Sequence, residues 1–358
     1  MSLHSVASPA SSSGSSAGPT SAATASSPTT TTTTKTATSA SIPARVASIS
    51  VDLDPVECYY RIHALAGAPL PDAEARFAVL RRCLPRFRDL FARHGVHATF
   101  FVVARDLAED GRGRALLADL ARDGHELANH TYSHPYDLVR LGPEAIAGEI
   151  DHAHEAIAAC AGAPPVGFRA PGYEVSADVI DILRARHYRY DSSAFPSVPN
   201  YSVKAAVMGL MRLRGHQSGS ILGSPRIMTA PRAPYRPAAG APYRAGELDI
   251  VELPMAVTPF MRLPVIGTSL IAAPEWIRRR LVAAALRAPF FNLELHGIDL
   301  CDANADQIAP ALVARQPDLR RPLAAKLAAL DATLAQIAAS GARFQRLDQV
   351  ASAQATRV

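Results

Sequence analysis

The sequence predicts an α/β fold: a distorted (β/α) barrel of about seven parallel strands, forming a single domain behind a disordered N-terminal tail. Three observations carry this. From Arg45 onward, short apolar runs alternate with stretches of helical periodicity, and repeated βα units imply a parallel sheet. Polar motifs fall at the C-terminal ends of the apolar runs, which suits a barrel mouth better than an open sheet. The chain has 358 residues, 48% hydrophobic and 19% charged, enough for one large core.

Residues 1–44 are mostly Ser, Thr and Ala. Such side chains bury too little apolar surface to offset chain entropy, so this tail is expected to be disordered. Val46 to Asp52 reads as the first strand. Arg76 to His94 follows as a helix, with Phe77, Leu80, Leu84, Phe87, Leu90 and Phe91 along one face. Ala98 to Ala104 is a buried strand. Arg114 to Arg122 is a helix stopped by Asp123-Gly124. His125 to Asn129 is the third strand and Pro143 to Ala161 a long helix. Val166 to Ala170 is a strand, Ala177 to Arg186 a helix, and Tyr188 to Ser192 a strand. Residues 196–247, rich in Pro, Gly, Arg and Tyr, read as an insertion near the barrel mouth. Asp249 to Val257 resumes a strand. Pro274 to Arg287 is a helix, Phe290 to His296 a strand, Arg321 to Ala339 a helix and Arg343 to Leu347 a last strand. The barrel domain is placed at residues 45–350.

The charge balance excludes some classes. Lys and Arg total 37 against 32 Asp and Glu, a net +5, with no basic block of the kind that grips nucleic acid. Cys58, Cys83, Cys160 and Cys301 are scattered, so neither a disulfide framework nor a zinc knuckle is indicated. No secretory pattern opens the chain, and no run reaches the roughly 18 apolar residues of a membrane span. The expectation is a cytoplasmic protein, with membrane association open.

Four motifs carry chemistry. Ser50-Val51-Asp52-Leu53-Asp54-Pro55 ends the first strand with two carboxylates. Residues two apart on a strand share a face, and close carboxylates repel unless a cation or proton separates them. The pair fits one metal ligand and one base; it also fits a helix cap or turn. His130-Thr131-Tyr132-Ser133-His134 follows the third strand. Histidines four apart meet on one face of a helical turn and chelate a divalent ion; the plainer alternative is two surface or core histidines. With the acidic pair they supply three protein ligands, the pattern that leaves a catalytic position open. Gly167-Phe168-Arg169-Ala170-Pro171-Gly172-Tyr173 places an arginine at a strand end, where it can orient a carboxylate and hold it ionised. Its Pro-Gly step exposes N–H groups suited to an oxyanion. An ordinary strand-to-helix turn with Ser176 as N-cap gives the same pattern. Leu293-Glu294-Leu295-His296-Gly297 ends a late strand with a histidine able to protonate a leaving amine, or simply bonded to backbone in the core.

Taken in order, Asp-x-Asp, His-x-x-x-His, Arg-x-Pro-Gly-Tyr and Leu-x-Leu-His resemble the motif series of the polysaccharide deacetylases, also called carbohydrate esterase family 4 or the chitooligosaccharide deacetylase homology domain. The resemblance covers roughly residues 45–350. It implies a distorted barrel and a metal-dependent hydrolase that removes an acetyl or formyl group from a sugar nitrogen. By that resemblance Asp52 is the general base, and Asp54, His130 and His134 hold zinc, with cobalt or nickel as substitutes. Arg169 orients Asp52, Tyr173 offers its backbone N–H to the oxyanion, and His296 is the acid. Pro171 and Gly172 belong to the substrate-binding turn. Two features depart from the family pattern. Leu53 separates the aspartates, as in the branch that resembles lipid-linked amino-arabinose deformylases. The carboxylate that supports the acid histidine is not obvious, and Glu252 in Glu252-Leu253-Pro254 is a candidate. Asp191, in Asp191-Ser192-Ser193, resembles a recurring element and is expected either to line the pocket or to cap a strand end.

In the insertion, Val203, Val207, Leu210 and Met211 recur at helical spacing beside Lys204, Arg212 and Arg214. Residues 201–214 could form a basic amphipathic helix on a membrane, or pack on the barrel. Residues 259–273 are unusually apolar, and the only tryptophan, Trp276, follows. With the Asp-x-Asp resemblance, this favours a lipid-linked sugar or glycolipid of envelope polysaccharide biosynthesis over a long polymer. His152 and His154 are two apart on a helix and do not converge, so they are read as a solvated face. Two other classes remain: a hydrolase of a non-sugar C–N bond such as a cyclic ureide, and an inactive glycan- or lipid-binding homologue. The presence of base, three ligands and acid together argues against the second.

Overall fold

The structure, a computed structural model, describes residues 45–65, 72–215 and 218–355; the expected disordered tail at 1–44 lies outside the described residues. The strands are β1 (Val46–Leu53), β2 (Thr99–Val102), β3 (Glu126–Asn129), β4 (Gly167–Phe168), β5 (Tyr190–Asp191), β6 (Pro237–Ala238), β7 (Ala241–Ala245), β8 (Val251–Glu252), β9 (Phe290–His296) and β10 (Arg343–Phe344). The main sheet runs β9-β1-β2-β3-β4-β5-β8, every pairing parallel, and β10 joins β1 at Val46 and Ala47 before β2 begins pairing at Ser50. Seven strands thus curl into the expected incomplete barrel. The segment after β8 swings across to β9: the Ala256 N–H donates to the Asn292 carbonyl at 2.9 Å, and Asn292 Nδ2 to the Leu253 carbonyl at 3.3 Å.

The sequence of β1 explains the character of the lumen. Ala47, Ile49, Val51 and Leu53 join the main apolar core, so Ser48, Ser50 and Asp52 take the opposite face. In register with them stand Asn292, Glu294 and His296 of β9. Parallel strands covered on both faces usually read as continuous apolar runs. Here strict alternation in two adjacent strands lines one side of the barrel with polar groups, and their upper members reach the C-terminal mouth.

Several boundaries move for identifiable reasons. The expected helix from Arg76 to His94 divides into Ala73–Arg76, a π-helical turn at Val79–Cys83 and Leu84–Arg93. β8 stops at Glu252 because the chain leaves β5 for β9 there. Within 196–247, Val198–Leu213 is helical and β6–β7 form an antiparallel hairpin. Tyr235 bridges antiparallel to Glu252, so this insertion extends the edge of the sheet as well as standing near its mouth. His154 is not solvated as expected: its Nδ1 lies 3.1 Å from the Tyr188 hydroxyl, while His152 is exposed.

The sequence reading missed a helix at Leu347–Ala355, so the folded body passes the expected boundary at 350. Its Leu347, Val350 and Ala351 pack with Phe101, Tyr190 and Val251. The first amides of this helix are satisfied from the barrel, Leu347 N–H on Thr99 Oγ1 (3.0 Å) and Asp348 N–H on Glu126 Oε2 (3.1 Å). The Tyr190 hydroxyl donates to the other Glu126 oxygen at 2.9 Å. Burial, with Asp348 nearby, pushes Glu126 up to about 7.

Tyr190 reaches Glu126 only because its register partner in β4 is Gly167; a Cβ there would overlap the Tyr190 ring. Gly167→Ala is therefore expected to destabilise the protein by about 1–3 kcal/mol, as overpacking does. Chemical denaturation checks this, and an unshifted midpoint would show that the ring can move aside.

Candidate metal and acid–base site

The motifs converge at the C-terminal ends of β1, β3, β4 and β9. Asp54 Oδ1 lies 3.2 Å from His130 Nε2 and 3.2 Å from His134 Nε2, and all three residues are buried. The expected helical turn between the histidines is absent. Residues 130–134 form an irregular loop, with Thr131 and His134 both at positive φ. Such conformations are strained for non-glycine residues and persist where surroundings over-determine them. Here Asn129 Oδ1 accepts the Thr131 N–H (2.8 Å), Thr131 Oγ1 accepts the His134 N–H (3.1 Å), and Glu149 accepts both the N–H and the hydroxyl of Ser133 (2.8 and 2.7 Å).

The ring orientations fit a cation. His130 Nδ1 sits 2.7 Å from the Arg169 carbonyl, so it carries the proton and Nε2 presents a lone pair to Asp54. His134 Nδ1 lies 3.5 Å from Cys58 Sγ, a contact the sequence did not suggest. Neither Asp54 Oδ1 nor His134 Nε2 has a hydrogen-bond partner of acceptable geometry. A carboxylate facing two imidazole nitrogens in a buried pocket needs positive charge between them, so these residues suit a divalent ion. Without one, burial opposes charge on both groups. The His134 contact nonetheless holds Asp54 well below the ordinary carboxylate range, and Asp54 and Cys58 hold the His134 proton up to about 10.

Beside this triad, Asp52 stands in register with His296. Arg169, fully buried, donates from Nη1 to Asp52 Oδ1 (2.5 Å), from Nη2 to Ser50 and Ser192 Oγ (3.0 Å each) and from Nε to the Ser192 carbonyl (2.8 Å). Burial raises Asp52 above the ordinary aspartate value, and Arg169 offsets part of that rise. Arg169 thus bonds Asp52 but does not return it to a surface-like acidity.

The carboxylate beside His296 is Glu294, not Glu252: Glu294 Oε1 lies 2.9 Å from His296 Nδ1. It was legible, since residues 294 and 296 of one strand share a face. Burial alone would depress the imidazolium, but Glu294, with more distant Asp54 and Asp52, holds it well above an ordinary histidine. The His296 N–H donates to Asp299 Oδ2 at 2.9 Å. Glu252 instead pairs in register with Asp191. Asp191 is fully buried and accepts from Ser193 Oγ (2.6 Å), which in turn accepts the Ala170 N–H (2.8 Å). It supports the Arg169–Ala170 backbone from behind and does not line the pocket, because it alternates with inward-facing Tyr190.

Pro171–Tyr173 form a short 3-10 turn with Gly172 and Tyr173 at positive φ. The Tyr173 N–H, expected to face an oxyanion, is taken up by the Ala170 carbonyl at 3.1 Å. Its hydroxyl lies 3.0 Å from His296 Nε2.

Residues 77–190 match the polysaccharide deacetylase family model. That interval contains His130, His134, Arg169 and Tyr173; Asp52, Asp54 and His296 lie outside it and join it in space. A chitooligosaccharide deacetylase from Bradyrhizobium is 40% identical over 90 residues, 25% of this chain and 39% of the relative. A peptidoglycan-N-acetylglucosamine deacetylase from Bacillus cereus is 30% identical over 91 residues, 25% of this chain and 32% of that protein. The matches thus span well under half of these curated relatives. A crystal structure of a candidate polysaccharide deacetylase from Mycobacterium smegmatis shares the fold, with a TM-score of 0.55 at 18% identity over 88% of this chain and 92% of the other. Residues 77–190 are thus similar to the polysaccharide deacetylase family, and the chain shares the fold of the Mycobacterium smegmatis structure.

Purified protein reconstituted with zinc is expected to hold about one ion per chain, and His130→Ala and His134→Ala to hold none. Because His134 must lose its proton to become a ligand, uptake at neutral pH should release about one proton per ion, and affinity should rise with pH. Calorimetry in buffers of different ionisation enthalpy reads this directly; proton-free uptake would mean that His134 is already neutral in the empty site, and His134→Ala decides whether it is a ligand.

Proposed function

We propose that this chain is a metal-dependent hydrolase that removes an acetyl or formyl group from a sugar nitrogen. The observation supporting it most directly is the opposition of a buried carboxylate, Asp52, and a carboxylate-backed imidazole, His296, on adjacent strands beside the Asp54–His130–His134 triad. Those three residues would hold a divalent ion, zinc first, with cobalt or nickel as substitutes. When bound, it supplies Lewis acidity, polarising the acyl carbonyl and lowering the pKa of water.

The chain's own residues do the proton work. Asp52 takes a proton from the attacking water; its raised pKa makes it a better base than a surface aspartate. Arg169 fixes the carboxylate through Oδ1. His296, kept protonated by Glu294, gives its Nε2 proton to the departing sugar nitrogen, and the carboxylate product leaves. The Tyr173 hydroxyl holds Nε2 in line until substrate arrives. Pro171 and Gly172, in the turn that leads to Tyr173, would belong to the substrate-binding side of the site. The substrate is a carbohydrate, and the branch-like Asp-x-Asp motif favours one carried on a lipid.

Acetate release from zinc-loaded protein on N-acetylated sugars, short oligomers and lipid-linked forms included, tests the reading. Asp52→Asn and His296→Ala should each lower kcat/KM by about 10²–10⁴ with the ion retained. Release of ammonia from cyclic ureides, with no acetate from any sugar, would transfer the site to the other amide class. Glu294→Gln removes the charge that raises His296. The acid form is then lost at lower pH, so the alkaline limb of kcat/KM should move to lower pH. An unmoved limb would mean that His296 is not the acid.

A further inference from the structure

The helix Val198–Leu213 contributes no buried residue, and it is apolar on two faces. Tyr201, Lys204, Ala205, Met208 and Met211 lie half-buried toward the protein. Toward solvent it presents Val203, Val207, Leu210 and Leu213, the last 86% exposed. A surface helix of a soluble domain normally keeps its apolar stripe inward. The exposed apolar surface continues beyond the helix. Ser197 Oγ, which caps it, donates to the Arg262 carbonyl at 2.9 Å. This fastens the helix start to a turn whose Phe260 and Met261 are 91% and 69% exposed. Phe260 and Met261 in turn share a shallow groove with Trp276, 59% exposed, and Arg280.

Charge singles out one occupant. Acids and bases nearly balance over the whole chain, yet residues 192–246 contain Lys204, Arg212, Arg214, Arg226, Arg232, Arg236 and Arg244 and no Asp or Glu. Residues 253–274 again lack any acid and include Arg262. Arg212, Arg214 and Arg226 are exposed, and none forms an ion pair among the described residues. Exposed apolar side chains flanked by unopposed arginines match the interface of an anionic bilayer. Among the described residues no helix is long and apolar enough to cross a membrane, so contact would be from the side. The helix also adjoins the site: Lys204 Nζ lies 3.9 Å from where a Cβ on Gly172 would stand.

We propose that the exposed face of Val198–Leu213, together with the Phe260–Met261 turn, docks on an anionic lipid bilayer and presents the barrel mouth to a sugar anchored there. That the anchored sugar is the substrate rests on the deacylase reading above; docking itself does not require it.

The test is co-sedimentation of the full-length protein with vesicles of phosphatidylcholine alone or mixed with phosphatidylglycerol. Wild type should pellet with the mixed vesicles, be released by salt, and stay in solution with phosphatidylcholine alone. Each cation near an anionic surface strengthens partition roughly fivefold, so Arg212→Glu with Arg214→Glu should weaken it by more than about tenfold. Leu210→Ser with Leu213→Ser should weaken it about tenfold through lost apolar burial. Both double variants should keep bound zinc and wild-type hydrolysis of a soluble N-acetylated sugar. Wild type that stays in solution with both vesicle types, or double variants that pellet like wild type, would overturn the docking surface. So would self-association in sedimentation velocity that Leu210→Ser with Leu213→Ser abolishes, which would give the stripe to a second copy of the chain. Docking that behaves as expected in a protein inactive on every sugar would uphold this surface and count against the deacylase reading alone.

Discussion

The site depends on a guanidinium sealed inside a barrel. Arg169 has no exposure to solvent, and burying such a charge is unfavourable unless it is paired and its donors are met. Asp52 supplies the charge, Ser50 and Ser192 take further N–H groups, and the Phe101 ring lies 4.0 Å from the guanidinium carbon. The same residue's carbonyl accepts from His130. One side chain therefore holds Asp52 and its own backbone holds the His130 ring, the proposed base and one proposed ligand. Removing one partner of a buried pair typically costs about 3–5 kcal/mol because the other is left uncompensated. Fold stability and site geometry are for that reason not separable at this position.

A second layer holds Arg169 from behind. Asp191 and Glu252, adjacent in the sheet, are both pushed upward by burial, Glu252 the more strongly, while the cation of Arg169 lowers each of them somewhat. Asp191 fixes Ser193, which fixes the Ala170 amide, and Glu252 accepts the Ala194 N–H at 2.9 Å. The Asp-Ser-Ser element is thus a backbone clamp. Its serines bond on opposite sides of the strand: Ser192 reaches the guanidinium and Ser193 the turn that follows it.

How much of this could be read from sequence varied with the range of the interaction. Strand order and the barrel came from local periodicity, which long elements carry strongly. The cluster of Asp54, His130 and His134 was legible in residue types at fixed spacing, though the helical turn expected between the histidines is absent; a loop strained at Thr131 and His134 brings them together. Glu294 was within reach through strand alternation and was passed over for Glu252. The role of Asp191 was not readable, because whether residue 190 or 191 faces the lumen depends on register across β4 and β8. Likewise, the Tyr173 amide is committed to Ala170 by a turn whose left-handed residues only the backbone reveals. The terminal helix at Leu347–Ala355 is short and alanine-rich, and what fixes it is Glu126, far away in sequence.

The alternation in β1 and β9 makes their outer face apolar and lines one side of the lumen with polar groups, and every large residue on these strands is accounted for by one face or the other. The helix Val198–Leu213 admits no such account. Its half-buried side already holds Tyr201, Ala205, Met208 and Met211 beside a lysine that feels Glu174, and its solvent side holds the valines and leucines as well. Packing within the chain does not require those side chains, and exposure of a continuous apolar stripe is unfavourable in a monomer. On the docking proposed above, a surface outside the chain supplies the reason. The acid-free composition around the helix indicates the sign of that surface, and the position of Lys204 against the Pro171–Tyr173 turn indicates its relation to the chemistry. If the constraint is a bilayer, the site opens beside the membrane plane and not away from it. A base, an acid and an ion triad recessed in a barrel can then meet a headgroup sugar without the lipid leaving its leaflet.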